Sequence, residues 1–537
     1  MATVTINGKT IEVPDGTNLV LAAEMAGQEI PHYCYHPGLS VAGNCRICLV
    51  DIRAMSAKQP SAMAKLQIGC NTIVQDGMVV ESNNERVEEA RRGVLEFLLI
   101  NHPIDCPICD QAGECKLQEY YMDYGRYHSR FELEQKVDKG KVIPVGPDIM
   151  LDQERCILCT RCVRFLEEYT GTCELGVNER GDHSELTLAS GKSVDNPYST
   201  NIVDICPVGA LTSREFRFRA RVWYLDTAPS VCAGCATGCN IDVDSLEDRI
   251  YRVKPRANAE VNGYWICDEG RRTWHRNQGE HRLTACYQRA GGEFIETELP
   301  AATTRAAEGL CGARRVAVLA SAACSLEEAW LARQIAQRIG DGPCLVVSPP
   351  TSQIPDDHKL ISTDRYPNRA GLVALGYQQQ QTPPSSGIDA ALVLRADIAD
   401  DNEASWGEFL EAMRETVVVS DSVSKTMAYA DQVLAIASHF EAAGSFVNRK
   451  GRLQVFPATV GPPGRAIAGW ELLSSLLAAL GGPQYSSVDE IFSAMCLDRG
   501  LGAGRSHGMV GASGTPLASW QHRSTTAQAF SGSSASV

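Results

Sequence analysis

Apolar and polar positions alternate from the first residues of the chain. Val4 and Ile6 alternate with polar neighbours, Ile11 and Val13 repeat the pattern, and Asn7-Gly8 between them predicts a β-hairpin. Asn18 is placed to cap a short helix over 19–26. The period then becomes helical over 87–100, with Val87, Ala90, Val94 and Leu98 on one face and a stop at Asn101-His102-Pro103. Turn signals at Gly181-Asp182, Gly191-Lys192 and Asn196-Pro197 predict loops and short strands, and the alternation from Arg249 to Val253 predicts a strand. Beyond 275 the pattern changes to α/β. Apolar runs at 316–320, 344–347, 391–394, 417–419 and 433–437 recur at βα spacing, and Ser325-Leu-Glu-Glu328 reads as a capping box opening a helix to Ile339. A doubly wound parallel sheet is expected. No Gly-x-Gly-x-x-Gly or Walker-type loop follows any of these strands, so no dinucleotide fingerprint is present. From about Gly500 the chain is rich in Ser, Gly, Ala and Thr, and residues 491–537 are expected to be a disordered tail.

Length and charge narrow the function. The 537 residues are enough for three or four domains, and 44% hydrophobic with 21% charged residues is ordinary globular composition. A net charge of -15 argues against nucleic acid or an anionic membrane as a direct partner. No run is long and apolar enough to span a bilayer, and Met1-Ala-Thr-Val-Thr-Ile predicts neither a signal peptide nor a transit peptide. The 21 cysteines therefore suggest metal chemistry in a reducing compartment rather than disulfides. Sixteen of them precede residue 270, while Cys286, Cys311, Cys324, Cys344 and Cys496 are scattered beyond it.

Those sixteen supply most of four ligand sets. The most telling is Cys156-x2-Cys159-x2-Cys162, the spacing of a bacterial ferredoxin loop. The fourth ligand that would follow is absent, since position 166 is Leu, and a Cys-Pro turn appears instead at Cys206-Pro207. These four residues read as a [4Fe–4S] site, with Cys173 a weaker rival for the fourth place because no proline follows it. In the first eighty residues Cys34-x10-Cys45-x2-Cys48 and a distant Cys70 follow the predicted hairpin and helix, an order that looks like the β-grasp fold of [2Fe–2S] ferredoxins. The first gap is longer than the plant-type x4, which excludes an ordinary plant-type ferredoxin. His102-x3-Cys106-x2-Cys109-x5-Cys115 places four soft ligands together, either a [4Fe–4S] site in which imidazole replaces one thiolate or a zinc site of three cysteines and one histidine. Cys232-x2-Cys235-x3-Cys239-x27-Cys267 reads as a further all-cysteine [4Fe–4S] site. Structural zinc is the competing reading at every set. Arg155, Arg161 and Arg164 stand beside the ligands, either to offset cluster charge or as solvated surface residues.

Taken in order, these sets resemble the large iron–sulfur subunit (G-type) of bacterial NADH:quinone oxidoreductase, respiratory complex I. His102-Pro-Ile-Asp-Cys106-Pro-Ile-Cys109-Asp-Gln-Ala-Gly-Glu-Cys115 is the most specific match. The set at Cys232 to Cys267 looks like the cluster motif of molybdopterin oxidoreductases, and Ala443 to Gln454 resembles a turn of that fold. The resemblance implies a multidomain α+β and α/β chain. It would comprise a [2Fe–2S] β-grasp domain (1–85), a helical one-His/three-Cys domain (86–134), a ferredoxin-like [4Fe–4S] domain (135–220) and a molybdopterin-oxidoreductase-type [4Fe–4S] domain (221–275). A truncated molybdopterin-oxidoreductase-like α/β region (276–490) would follow.

The same resemblance implies one [2Fe–2S] and three [4Fe–4S] clusters and no molybdopterin, because many members have a considerably longer C-terminal half. It implies electron transfer from a flavin-bearing NADH-oxidising subunit to other peripheral-arm iron–sulfur subunits, toward quinone. The expected place is the cytoplasmic side of a bacterial inner membrane, peripheral and without a membrane span. No NADH, flavin or quinone site is expected on this chain, and no catalytic side chain. The rival readings are the iron–sulfur subunit of an NAD-linked formate dehydrogenase, the diaphorase side of a hydrogenase, and a zinc scaffold.

Overall fold

The computed structural model describes residues 1–518 apart from 133–134, 350–351, 385–386, 402 and 502–503. It divides into two compact units, the first over 1–225 and the second over the described residues from 226 onward.

The first unit opens with the expected hairpin. Strand β1 (Ala2–Ile6) pairs antiparallel with β2 (Lys9–Val13), and Asn7 and Gly8 take φ of 48° and 84°, as a two-residue hairpin requires. Helix α1 (Leu19–Met25) begins where Asn18 accepts from the Leu21 amide at 3.1 Å. Strands β3 (Leu49–Ala54), β4 (Gln67–Ile68) and β5 (Met78–Glu81) complete a sheet of order β2-β1-β5-β3-β4. β1 and β5 run parallel and the other pairs antiparallel. Val4, Ile6, Leu19, Ala22, Val50, Ile52, Met78 and Val80 form its core.

Helix α2 (Glu85–Leu99) forms as expected but is turned from the predicted face. Val87, Arg91 and Leu95 are buried, whereas Ala90, Val94 and Leu98 are only half-buried. The cause is Arg91, whose guanidinium stacks 4.8 Å above the Tyr124 ring of α3 (Lys116–Tyr124) and draws that side of the helix inward. Next come β6 (Ile143–Pro144), β7 (Ile149–Leu151), α4 (Arg161–Arg164), a π-helical turn at Phe165–Thr170, the hairpin β8 (Leu175–Asn178) and β9 (Glu185–Leu188), α5 (Asn201–Asp204) and β10 (Leu211–Ser213). β10, β7 and β6 form one small sheet and β8–β9 another.

The second unit begins with the antiparallel sheet β11 (Asp226–Val231), β12 (Asn240–Leu246) and β13 (Arg249–Pro255), followed by α6 (Asp268–Arg271). An unforeseen hairpin follows, β14 (Cys286–Ala290) and β15 (Glu293–Thr297), turned by Gly291-Gly292 at φ 63° and 93°. Helix α7 (Leu299–Cys311) leads to six parallel strands: β16 (Val316–Ala320), β17 (Cys344–Val346), β18 (Gln378–Gln379), β19 (Ala390–Leu394), β20 (Glu415–Ser420) and β21 (Gln432–Ala435). The order β18-β17-β16-β19-β20-β21 is the doubly wound order, with its switch point between β16 and β19. Both of those strands are fully buried, which explains their unbroken apolar runs. Helix α8 (Leu326–Arg338) carries the expected capping box.

The chain remains folded past residue 490, contrary to the expected tail. A helix spans Val488–Asp498 and buries Ile491, Phe492 and Met495, and Thr515–Pro516 pairs with the strand Arg452–Phe456. Sparse Ile491, Phe492, Met495 and Val510 are enough to dock this segment on an existing core. Residues 519–537 of the expected tail lie outside the described residues.

One ionisable group at the start of β20 makes stability depend on pH. Burial, and then the charge of Asp431, raise the Glu415 carboxyl to about 7, with Arg414 opposing. The folded state therefore keeps a proton that the unfolded chain releases at the ordinary value of 4.5, so stability declines as pH rises from 4.5 to about 7. Glu415→Gln is expected to unfold later than the parent at pH 8, by about 1 kcal/mol after solvent screening, and to match it at pH 4.5. Urea unfolding at the two pH values measures this.

Candidate metal centres

Backbone loops, rather than long helices or strands, carry the ligands of all four sets. Cys34 and Cys45 sit in the segment joining α1 to β3, Cys48 immediately precedes β3, and Cys70 sits in the turn after β4. The structure brings these four together. Cys34 and Cys48 are held low by hydrogen bonds from Cys45 and Cys70, which are themselves held high by carrying the shared protons. The Cys34 amide also points at the Cys45 sulfur at 3.5 Å, a geometry suited to an anionic sulfur.

The second set lies between α2 and α3. Cys109 and Cys115 are buried, and burial raises both thiols, Cys115 to about 11. Burial lowers the His102 imidazole to about 4, so it is neutral with a free lone pair. Its Nδ1 is buried and has no hydrogen-bond partner among the described residues, as expected of a ring placed to bind a metal. His102 shares the electrostatic surroundings of Asp105 and Arg155, and Arg155 also faces Cys109. Backbone carbonyls on the loop are held by side chains: Arg221 donates to Cys109 and Pro107 at 2.6 and 2.5 Å, and Lys136 donates to His102.

The third set occupies the loop before α4 (Cys156 and Cys159), α4 itself (Cys162) and the turn after α5 (Cys206). Leu158 and Thr160 adopt φ of 52° and 60°, which winds the Cys156–Cys162 loop back on itself. Burial raises Cys156 to about 12 and Cys159 to about 11, and both feel the Cys206 thiol. Amides of Val208, Ala210 and Leu211 are directed at Cys206, and the Leu158 amide lies 3.4 Å from the Cys156 sulfur. Cys173 is exposed, unlike the buried Cys159 and Cys162.

Arg155, Arg161 and Arg164 are not surface residues at large. Arg155 is 5% exposed and forks onto Asp105 at 2.6 and 3.1 Å, joining the third loop to the second. Arg164 donates to the carbonyls of Cys34, Ser40 and Cys159, joining the third loop to the first. The sequence placed these arginines beside the ligands but could not show what they reach.

In the second unit Cys232, Cys235, Cys239 and Cys267 are all buried. The Gly234 amide lies 3.4 Å from the Cys232 sulfur and the Gly270 amide 3.2 Å from that of Cys267. A Cβ at Gly270 would stand 3.1 and 3.2 Å from these two sulfurs, so both crowd one backbone position. Burial raises the Cys232, Cys239 and Cys267 thiols, the last to about 12. The loop is tied to the α/β sheet region: Ala236 donates to Asp364 at 2.9 Å, Arg449 donates to Ala236 at 2.7 Å, and Gln454 donates to Gly238 at 2.9 Å. The segment resembling a molybdopterin-oxidoreductase turn is thus the hairpin Gly444–Val447 and Arg452–Phe456, and it braces this set.

Among the described residues, no three His, Cys, Asp or Glu side chains are grouped so as to hold a single metal ion. The donor sets nevertheless suit iron–sulfur clusters: soft sulfur and neutral imidazole donors, amides turned toward sulfur, and buried cations close by. The raised thiols mean that cluster insertion must release protons. No described helix is long and apolar enough to cross a membrane.

Comparison with known proteins gives the same succession. Residues 1–85 match the 2Fe-2S iron-sulfur cluster binding domain, and 91–130 the NADH-ubiquinone oxidoreductase-G iron-sulfur binding region. Residues 146–212 match the ferredoxin-like domain of NADH-quinone oxidoreductase subunit 3. Residues 225–278 match the molybdopterin oxidoreductase Fe4S4 domain, and 373–479 the molybdopterin oxidoreductase family. The G subunit of NADH-quinone oxidoreductase from Rickettsia felis is 39% identical over 342 residues, 63% of this chain and 49% of that one. The G subunit from Streptomyces coelicolor is 40% identical over 334 residues, 62% of this chain and 39% of that one. The mitochondrial NADH-ubiquinone oxidoreductase 78 kDa subunit of Candida albicans is 43% identical over 270 residues, 50% of this chain and 36% of that one. The chain thus spans about half the length, or less, of these curated relatives. A crystal structure of an NAD+-reducing [NiFe]-hydrogenase in the H2-reduced state is 31% identical, covering 41% of this chain and 91% of that one, with a TM-score of 0.36.

Proposed function

We propose that the chain, whose domains match those of NADH-quinone oxidoreductase G subunits, relays single electrons within the peripheral arm of such an oxidoreductase. The donor is a flavin-bearing subunit that oxidises NADH, the acceptor is another iron–sulfur subunit, and the final acceptor is quinone. The proposed ligands are Cys34, Cys45, Cys48 and Cys70 for a [2Fe–2S] cluster. His102, Cys106, Cys109 and Cys115 are proposed for one [4Fe–4S] cluster, Cys156, Cys159, Cys162 and Cys206 for a second, and Cys232, Cys235, Cys239 and Cys267 for a third. Bound there, the clusters of the first three sets would supply one-electron redox chemistry. This chain's own residues keep the ligands apart from solvent, direct amides at the sulfurs and set the spacing between sites.

The observation that carries this reading is the side-chain linkage of the first three sets within one unit. The Arg164 contacts join the first and third loops, and the Arg155–Asp105 pair joins the third and second. This supports transfer in the order first, third, second, as in the family. The proposed place of this chain is the cytoplasmic side of a bacterial inner membrane, peripheral to the membrane, as part of a membrane complex. The test is freeze-quench EPR of the assembled complex after mixing with NADH: signals from this chain should appear within one turnover. Signals that stay oxidised through turnover would contradict it.

The fourth set has a mainly structural role in this proposal, since its loop is tied to residues 364, 449 and 454 of its own unit. Cys232→Ser should lower the yield of assembled complex, and whatever assembles should transfer electrons at the parental rate. Normal assembly with slowed transfer would oppose that role.

A further inference from the structure

Arg161, like Arg164, reaches both the first and the third ligand sets. Arg161 lies between Cys159 and Cys162, at the start of α4. Its Nη1 donates to the Ile205 carbonyl at 3.1 Å, next to Cys206, and its Nη2 donates to the Tyr35 carbonyl, next to Cys34. Its Nε is buried without a hydrogen-bond partner among the described residues. Among the described residues no carboxylate forms an ion pair with it. The ionisable groups it faces are Cys159 and Cys206 of the third set and Cys34 and Cys45 of the first, which become anionic as metal ligands. A desolvated cation needs an anionic partner, and here thiolates bound to iron are the groups placed to supply it. Arg155 differs, because its charge is already matched by Asp105.

We propose that Arg161 is a positioning residue for electron transfer between the first and third sites, fixing the Cys34 and Cys206 segments against each other and placing one positive charge between them. The proposal rests on the electron-relay reading above. In the step concerned, one electron leaves the reduced first site and enters the oxidised third site, with no bond made or broken and no proton moved. A cation facing both sites favours the reduced form of each, so it raises both potentials together and changes the driving force between them little. A planar guanidinium spans the two carbonyls, whereas a lysine ammonium supplies the charge from a single point.

The test uses the full chain with clusters assembled anaerobically, and EPR-monitored redox titrations of the parent, Arg161→Gln and Arg161→Lys. In Arg161→Gln the midpoints of the [2Fe–2S] cluster and of the Cys156-set cluster should both move lower, while that of the Cys232-set cluster stays in place. In Arg161→Lys both midpoints should return toward the parent. Freeze-quench of the assembled complex carrying Arg161→Lys should still show transfer between the two sites slowed about tenfold, because the bridging geometry is lost. Unmoved midpoints in an Arg161→Gln protein that holds both clusters would overturn the proposal. If that variant loses either cluster, Arg161→Lys decides: parental midpoints with slowed transfer support the proposal, and parental transfer overturns it. A parent chain without iron at either set would overturn the electron-relay reading itself, and this proposal with it.

Discussion

Replacing Gly209 with alanine is expected to remove more than half of the iron held by the His102 set while leaving the [2Fe–2S] site intact. Gly209 belongs to the turn Cys206-Pro207-Val208-Gly209, yet a Cβ there would lie 2.4 Å from the Cys109 sulfur of the neighbouring set. Gln111 Cβ and Arg155 Cδ, at 3.2 and 3.6 Å, close the remaining space. The two loops are also joined by the Lys116 amide, which donates to the Pro207 carbonyl at 3.1 Å. A free thiol could swing away from the new methyl group. One held on iron cannot move without leaving its metal, so the conflict falls on the cluster. The backbone of Gly209 is not left-handed, so the expected loss comes from contact alone. Iron analysis with EPR of the reduced variant measures it. A full iron complement and an unchanged signal from the second set would show that Cys109 does not hold metal in this position.

Arg395→Ala is expected to destabilise the second unit by about 3–5 kcal/mol, the usual cost of leaving buried partner charges uncompensated. Arg395 follows β19 and lies outside the carboxyl end of the sheet, beside the switch point where doubly wound folds bind ligands. In this chain the place is taken by ion pairs. The 8%-exposed guanidinium bonds both Glu328 oxygens at 2.7 and 3.0 Å, approaches Asp421 at 3.0 Å, and donates to the Ala437 carbonyl at 2.6 Å. Glu328 is 5% exposed and also closes the capping box of α8, so the loss would extend to that helix start. Glu328→Gln combined with Arg395→Met should cost less than Arg395→Ala alone, because it removes the charge on both sides of the pair. Urea denaturation followed by tryptophan fluorescence would report it, since Trp330 lies in α8. Equal stability of Arg395→Ala and parent would mean that the network carries no net stabilisation.

Much of this arrangement was legible because its signals are local. Asn7-Gly8, the Asn18 cap and the Ser325–Glu328 box each need only neighbouring residues, and the structure shows all three. The parallel strands were visible as apolar runs because strands buried on both faces lose their alternation. The proposed ligand sets rest on an equally local signal, since cysteines two or three positions apart lie on one short segment.

What escaped depends on distant partners. The face of α2 was misread because Arg91, polar in any pattern, is buried against Tyr124. The reach of Arg161 and Arg164 toward the first loop depends on residues more than a hundred positions away. The β14–β15 hairpin has a half-exposed, polar sequence that hides its alternation, although Gly291-Gly292 was a turn signal that could have revealed it. Past residue 490, low overall hydrophobicity concealed the few apolar residues that dock the segment.

We propose that these ligand sets hold iron–sulfur clusters, those of the first three carrying electrons. Anaerobic purification, iron and acid-labile sulfide analysis, and low-temperature EPR of the dithionite-reduced chain test it most directly. One [2Fe–2S] and three [4Fe–4S] signals are expected. Zinc in place of iron, with no signal on reduction, would contradict it and leave a scaffold.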